Sequence, residues 1–135
     1  MAGFIKLYLA TFGAFLAIDA VWLGLVARKF YARHLGFLLA PKPNWLAAFA
    51  FYLIFILGVV VFVVQPGLKA DSLKFTLGRA ALFGLVTYAT YDLTNHATVK
   101  DWPPIVTMVD LAWGMALTTA VSFVAFQAGK WLGIS

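Results

Sequence analysis

The sequence predicts an all-α integral membrane fold: a bundle of four transmembrane helices with a short interfacial amphipathic helix between helices one and two. Three observations carry this. Of 135 residues, 64% are hydrophobic and 11% charged, a balance that a water-soluble domain of this size keeps only by exposing large apolar patches. Four apolar stretches reach the length of about 20 residues needed to cross the hydrocarbon core. The basic residues collect mainly between and beside these stretches. Residues 1–135 read as a single transmembrane domain.

The first span is predicted from Phe4 to Val26. Its apolar run begins after Lys6 as in a signal peptide, but it is long, contains Asp19 and lacks a convincing small-residue cleavage site, so it reads as a retained helix. From Ala27 to Asn44, Arg28, Lys29, Arg33, His34 and Lys42 alternate with Phe30, Tyr31, Leu35, Phe37 and Leu38, the pattern of a helix lying in the membrane interface. The second span, Trp45 to Val64, ends at a helix stop formed by Gln65, Pro66 and Gly67. The third runs from Arg79 to Ala97, and the fourth from Pro104 to Ala128 after a tight turn around Lys100, Asp101, Trp102 and Pro103. Trp45, Trp102 and Trp131 fall where aromatic belts belong.

An even span count places both ends of the chain on one side. Lys6, Lys69, Lys74, Arg79 and Lys130 on that side balance Arg28, Lys29, Arg33, Lys42 and Lys100 on the other, so the positive-inside rule gives no orientation. The tie leaves room for a homo-oligomer, including an antiparallel dimer inserted both ways. The net charge of +5 is dispersed between apolar segments, which points to anionic membrane lipids and away from nucleic acid. With no cysteine, thiolate chemistry is excluded. No residue pattern specifies a cofactor.

Function must then be read from the polar residues inside the spans. In the first helix Ala10, Gly13, Ala17, Ala20 and Gly24 form a seam of small residues predicted to pack against a neighbour. Asp19 lies off that seam with Phe12, Phe15, Trp22 and Leu23. The third helix gathers Gly84, Tyr88, Tyr91, Asp92 and Asn95 on one stripe with His96 at its margin, while Phe83, Val86 and Leu93 point away. The fourth places Thr107, Asp110, Gly114 and Thr118 on one side, with Trp113 beyond Asp110. At 1.5 Å per residue, Asp19 lies roughly 13 Å from Arg28 and Asp110 roughly 10 Å from Pro103, with Asp92 at comparable depth. An intramembrane aspartate costs ~2.5 to 3.5 kcal/mol on insertion scales, so the three should face one another or a wet cavity.

Several readings compete for these residues. Aspartates that hydrogen-bond tyrosines, indoles and threonines could simply hold the bundle together, although neutral side chains usually serve as such glue. Asp92 and His96, one helical turn apart, could share a metal ion with Asp110 or Asp19, but no histidine-rich motif supports this. Apart from Lys6 at the outer end of the first, no lysine lies inside the spans for a Schiff base. Asp19-Ala-Val-Trp22 and Asp110-Leu-Ala-Trp113 repeat a short pattern, each with a glycine close behind, which reads as convergence on one pocket.

The run Thr90-Tyr91-Asp92-Leu93-Thr94-Asn95-His96-Ala97-Thr98 followed by Trp102-Pro103 resembles the bacterial domain-of-unknown-function family numbered 2177. Asp19 with Trp22-Leu23, Tyr31 with Leu35-Gly36, Ala50-Phe51-Tyr52, and Asp110 with Trp113-Gly114 extend the resemblance over nearly the whole chain. It implies a membrane protein of the bacterial inner membrane, carries over no catalytic assignment, and points weakly toward lipid-modifying surroundings.

The leading expectation is an acidic, aromatic-lined pocket opening toward one leaflet, which binds a lipid-like or other hydrophobic small molecule and holds the groups to transform it. Asp19, Asp92 and Asp110 would be its acid–base residues. Tyr88, Tyr91, Asn95 and His96 would orient polar groups, and Trp22 and Trp113 would wall the apolar part. Rival expectations are a proton-coupled small-molecule transporter and a non-catalytic membrane subunit or scaffold. Whether the chain is an enzyme is left open.

Overall fold

The computed structural model describes residues 2–134, and every regular element in them is helical. Helix α1 (Ala2–Trp22) passes through a π-helical turn (Leu23–Ala27) into α2 (Arg28–Leu35) without a break. An irregular link, 36–44, leads to Asn44, whose side chain accepts the Ala47 N–H at 3.1 Å and starts α3 (Trp45–Val59). A second π-helical turn (Val60–Val64) joins α3 to α4 (Gln65–Ala70). Asp71 ends α4 in the left-handed conformation at φ 51°, and Ser72 caps α5 (Leu73–Thr98) by accepting the Phe75 N–H at 3.1 Å. After a short turn, α6 (Pro104–Trp131) opens on a proline, whose missing N–H costs nothing at a first turn.

Three helices, Ala2–Leu35, Trp45–Ala70 and Pro104–Trp131, are long and apolar enough to cross a membrane, which makes this a multi-pass membrane protein. The sequence reading expected four. Helix α5 has the length, since 26 residues rise about 39 Å. It falls short on apolarity, carrying Lys74, Arg79 and Asp92 together with Thr76, Thr87, Thr90, Tyr88, Tyr91 and Asn95.

Two expected breaks are absent. The sequence pattern predicts a separate amphipathic helix within Ala27 to Asn44, but the helix there ends at Leu35 and continues the first helix through the π-helical turn. Gln65-Pro66-Gly67 was read as a stop, yet the helix runs on to Ala70. A helical proline removes one backbone N–H donor. In the π-helical turn just before Pro66, the Phe62 carbonyl accepts a hydrogen bond from Arg79 Nε of α5 at 2.9 Å. This cross-helix bond ties α5 to the segment beside the proline, through which the helix continues.

The core lies between α1, the α3 end of the second long helix, and α6. Leu7, Phe15, Phe55, Ile56, Val59, Val60, Val63, Val64, Leu117 and Val121 are buried together in it. Phe55 makes tilted or edge contacts with Phe15, Phe83 and Tyr88 at ring centroid distances of 5.7, 5.8 and 6.4 Å. Phe83 therefore faces the bundle, not lipid as the helical wheel suggested. The small-residue seam of α1 is also turned around. Gly13, Ala17, Ala20 and Gly24 are exposed, and Leu7, Thr11 and Phe15 are the buried face, because the larger side chains supply the contact that α1 makes with α3 and α6.

The close approach lies instead between α5 and α6. A Cβ built on Gly84 would stand within 2.8 Å of the Gly114 carbonyl carbon and of Thr118 Oγ1, and one on Gly114 would run into the Tyr88 ring. Thr76, Ala80 and Gly84 on α5 and Gly114, Thr118 and Ser122 on α6 are buried at four-residue spacing, the small-xxx-small arrangement that lets backbones meet inside a membrane. Gly114→Leu is expected to lower stability by about 1–3 kcal/mol through overpacking, seen as an earlier midpoint on titration of the detergent-purified protein with dodecyl sulfate. Gly13→Leu, at a position with nothing within 4 Å of an added Cβ, should leave the midpoint where it is.

Candidate functional site: a carboxyl-lined cavity between α3, α5 and α6

The Gly84–Gly114 contact sets the positions of the two deepest carboxyls. Asp92 lies two turns past Gly84 on α5 and Asp110 one turn before Gly114 on the antiparallel α6, so both fall on the same side of the crossing. Together with Phe51, Thr87, Tyr88 and Tyr91 they line a cavity of about 360 Å³. The Thr87 hydroxyl is spent on its own helix, donating to the Phe83 carbonyl at 2.9 Å.

The two carboxyls differ in their partners. Asp110 Oδ1 accepts a hydrogen bond from the Tyr31 hydroxyl of α2. Asp92 is 1% exposed, and neither of its oxygens has a partner within the protein. A buried polar atom without a partner forfeits its hydration and costs about 1–3 kcal/mol, more when charged. The cavity is where that deficit can be met.

Tyr31 reaches Asp110 because α2 is anchored at the start of α6. Leu35, Trp102 and Val106 form a second small core against which Phe30, Tyr31 and Val99 pack. Trp102 is 7% exposed, so it is a core residue and not a membrane-belt residue as the sequence suggested. Its Nε1 donates to Thr107 Oγ1 at 3.0 Å, and that oxygen lies 3.2 Å from His96 Nδ1. With the histidine proton on Nε2, the Thr107 hydroxyl donates onward to Nδ1 and the chain is complete. Trp45 and Trp131 remain exposed, at 70% and 86%.

Of the residues singled out from sequence, Tyr88, Tyr91, Asp92 and Asp110 line the cavity, whereas Asp19, Trp22, Asn95, His96 and Trp113 do not. Trp22 and Trp113 stack face to face, with centroids 4.3 Å apart and planes 10° from parallel, and wall a separate apolar recess of about 370 Å³ with Ile18, Val21, Leu25 and Val26. The repeated Asp-x-x-Trp pattern thus meets through its tryptophans. Asp19 is half-buried beside the Trp113 indole. Asn95 is half-buried and His96 is turned to Thr107. Among the described residues, no three histidine, aspartate or glutamate side chains gather as metal ligands.

Sequence reasoning gave Tyr31, Phe51 and Thr87 no place at the site. Tyr31 sits among Arg28, Lys29 and Arg33 and so reads as interfacial. Phe51 and Thr87 carry no charge to mark them. A larger groove of about 600 Å³ follows the outer faces of α5 and α6 past Leu77, Ala81, Ala116 and Phe123. It lacks ionisable groups.

Exposed leucine, isoleucine, valine and phenylalanine side chains on the outside, with two buried carboxyls, Asp92 and Asp110, within a mostly apolar core, define a helical membrane protein. The chain belongs to the family described as Predicted membrane protein (DUF2177), whose profile matches residues 4–127. No curated protein and no solved structure matches the chain at a significant level.

The Tyr31–Asp110 bond joins α2 to α6, and an intramolecular hydrogen bond contributes about 0.5–1.5 kcal/mol net. Tyr31→Phe should lower the unfolding midpoint accordingly. In an Asp110→Leu background the same substitution should cost less than half as much, a coupling that a double-mutant cycle reads directly.

Proposed function

We propose that the protein is a four-span bundle of the bacterial inner membrane that binds a lipid-like or other hydrophobic small molecule in the cavity between α3, α5 and α6. In this reading α5 is the fourth span. Its polar side chains are tolerated because its inner face packs along the apolar α6, while Leu82, Val86 and Leu93 face outward. Arg28, Lys29 and Arg33 on α2 then lie at headgroup level, where the long first helix leaves the hydrocarbon.

One observation carries the binding reading: Asp92, fully buried and with no partner in the protein for either carboxyl oxygen, lines a cavity whose other walls are Asp110, Thr87 and three aromatic rings. Binding sites combine this kind of apolar wall with a few orienting polar groups. Phe51 and Tyr91, 47% and 62% exposed, form the rim, so the cavity opens sideways toward the bilayer, the route by which a hydrophobic molecule arrives. The neighbouring carboxyls also supply a proton donor and acceptor in one place, the chemistry that a transformation of the bound molecule would use.

The test is retention of a native molecule. Parent, Asp92→Asn and Asp110→Asn proteins are purified from bacterial membranes in mild detergent, extracted with organic solvent and analysed by mass spectrometry. Asparagine nearly matches aspartate in size and still forms hydrogen bonds, so the variants should insert and purify like the parent. The parent should retain a hydrophobic molecule near one per chain, with at least tenfold less in each variant. Equal retention by all three proteins, or none by the parent, contradicts the reading.

A further inference from the structure

The cavity specifies more than an apolar guest. Its acceptors are unmatched: Asp92 offers two free oxygens and Asp110 keeps the one that Tyr31 does not occupy. Its donors are neutral, the Tyr88 and Tyr91 hydroxyls, since the Thr87 hydroxyl is committed to the Phe83 carbonyl and no lysine, arginine or histidine lines the space. A neutral hydroxyl brings one donor, whereas a primary ammonium brings three N–H groups and a positive charge. An anionic headgroup would meet two carboxyls with no counter-charge.

Size and rim limit the guest further. About 360 Å³ is roughly a dozen water volumes, enough for a headgroup and its first few carbons but not for a whole lipid. Phe51 and Tyr91 stand at the mouth, where an apolar tail would leave along the bundle surface. Tyr88 and Tyr91 add aromatic faces, and such faces attract a cation.

Resting on the binding reading above, we infer that this cavity takes the primary ammonium headgroup of an amphiphile, held between Asp92 and Asp110 with its apolar body passing out between Phe51 and Tyr91. The shared chemistry is an ammonium on an apolar tail. Either a free single-tailed amine or the ethanolamine headgroup of a bilayer lipid can supply it.

The test measures binding of dodecylamine, dodecanol and dodecanoate to the full chain in phosphatidylcholine nanodiscs at pH 7, corrected for partition into protein-free discs. Dodecylamine should bind at least tenfold more tightly than dodecanol, with dodecanoate weakest. Asp92→Asn should bring the amine down to the level of the alcohol. Asp110→Asn, whose side-chain oxygen still accepts from Tyr31, should weaken the amine in the same direction and keeps the test decisive if Asp92→Asn does not fold. Replacing part of the disc lipid with phosphatidylethanolamine assigns the source. Competition points to the bilayer headgroup and its absence to a free amphiphile, and each sustains the ammonium. Equal binding of amine and alcohol, both weakened by Asp92→Asn, overturns the ammonium inference and leaves the hydrophobic-molecule reading standing. No binding of any probe, or binding that Asp92→Asn does not change, overturns both.

Discussion

Everything at the polar centre of this protein depends on how closely α5 and α6 approach at Gly84 and Gly114. Without a side chain at either position the backbones come into contact, and Tyr88 lies across Gly114. In lipid there is little hydrophobic force to hold two apolar helices together, so close packing of small residues must supply the association. That contact fixes Asp92 and Asp110 on one side of the crossing, and their burial follows. The arrangement carries an energetic debt in Asp92, whose oxygens find no partner in the protein. A functional group commonly retains such a deficit because something else satisfies it.

The two π-helical turns have a related role. Each lies within a long helix that continues through it. At Leu23–Ala27 the first helix continues into α2, and this carries Tyr31 to Asp110 and Leu35 to Trp102 and Val106. After Val60–Val64 the helix runs on through Pro66, and the Phe62 carbonyl in this turn accepts from Arg79 of α5. The long helices are thus tied to α6 and α5 by polar side chains near their ends, and a surface ion pair between Lys130 and Asp71 joins the α4–α5 turn to the end of α6. Exposed pairs of this kind add little stability. The buried Tyr31–Asp110 link is the stronger tie.

The helical membrane fold was legible from composition and from the length of the apolar runs, because lipid permits few alternatives. The buried face of α6, with Thr107, Asp110, Gly114 and Thr118 in line, was legible from its spacing. The packing face of α1 was not. Its small residues matched the expected seam, but the contact is made by Leu7, Thr11 and Phe15, and the deciding partner surfaces lie on other helices. The expected Pro66 stop is likewise absent, and the contact beside it comes from Arg79, 17 residues from its acceptor Phe62 in sequence. At the site, charge marked Asp92 and Asp110, while Tyr31, Phe51 and Thr87 became visible only through geometry. Asp19 and His96 bear charges or protons of equal promise in sequence, yet the cavity does not include them.

The central claim is that the two free oxygens of Asp92 mark an occupied site within the bundle. An experimental structure of the protein in native lipid, at a resolution that separates headgroup from tail, tests it most directly. The account predicts density inside the cavity in hydrogen-bond contact with both Asp92 oxygens, continuing outward between Phe51 and Tyr91. A cavity closed by Asp92 turning to a hydroxyl or amide of the protein itself, with no density between Asp92 and Asp110, would contradict it.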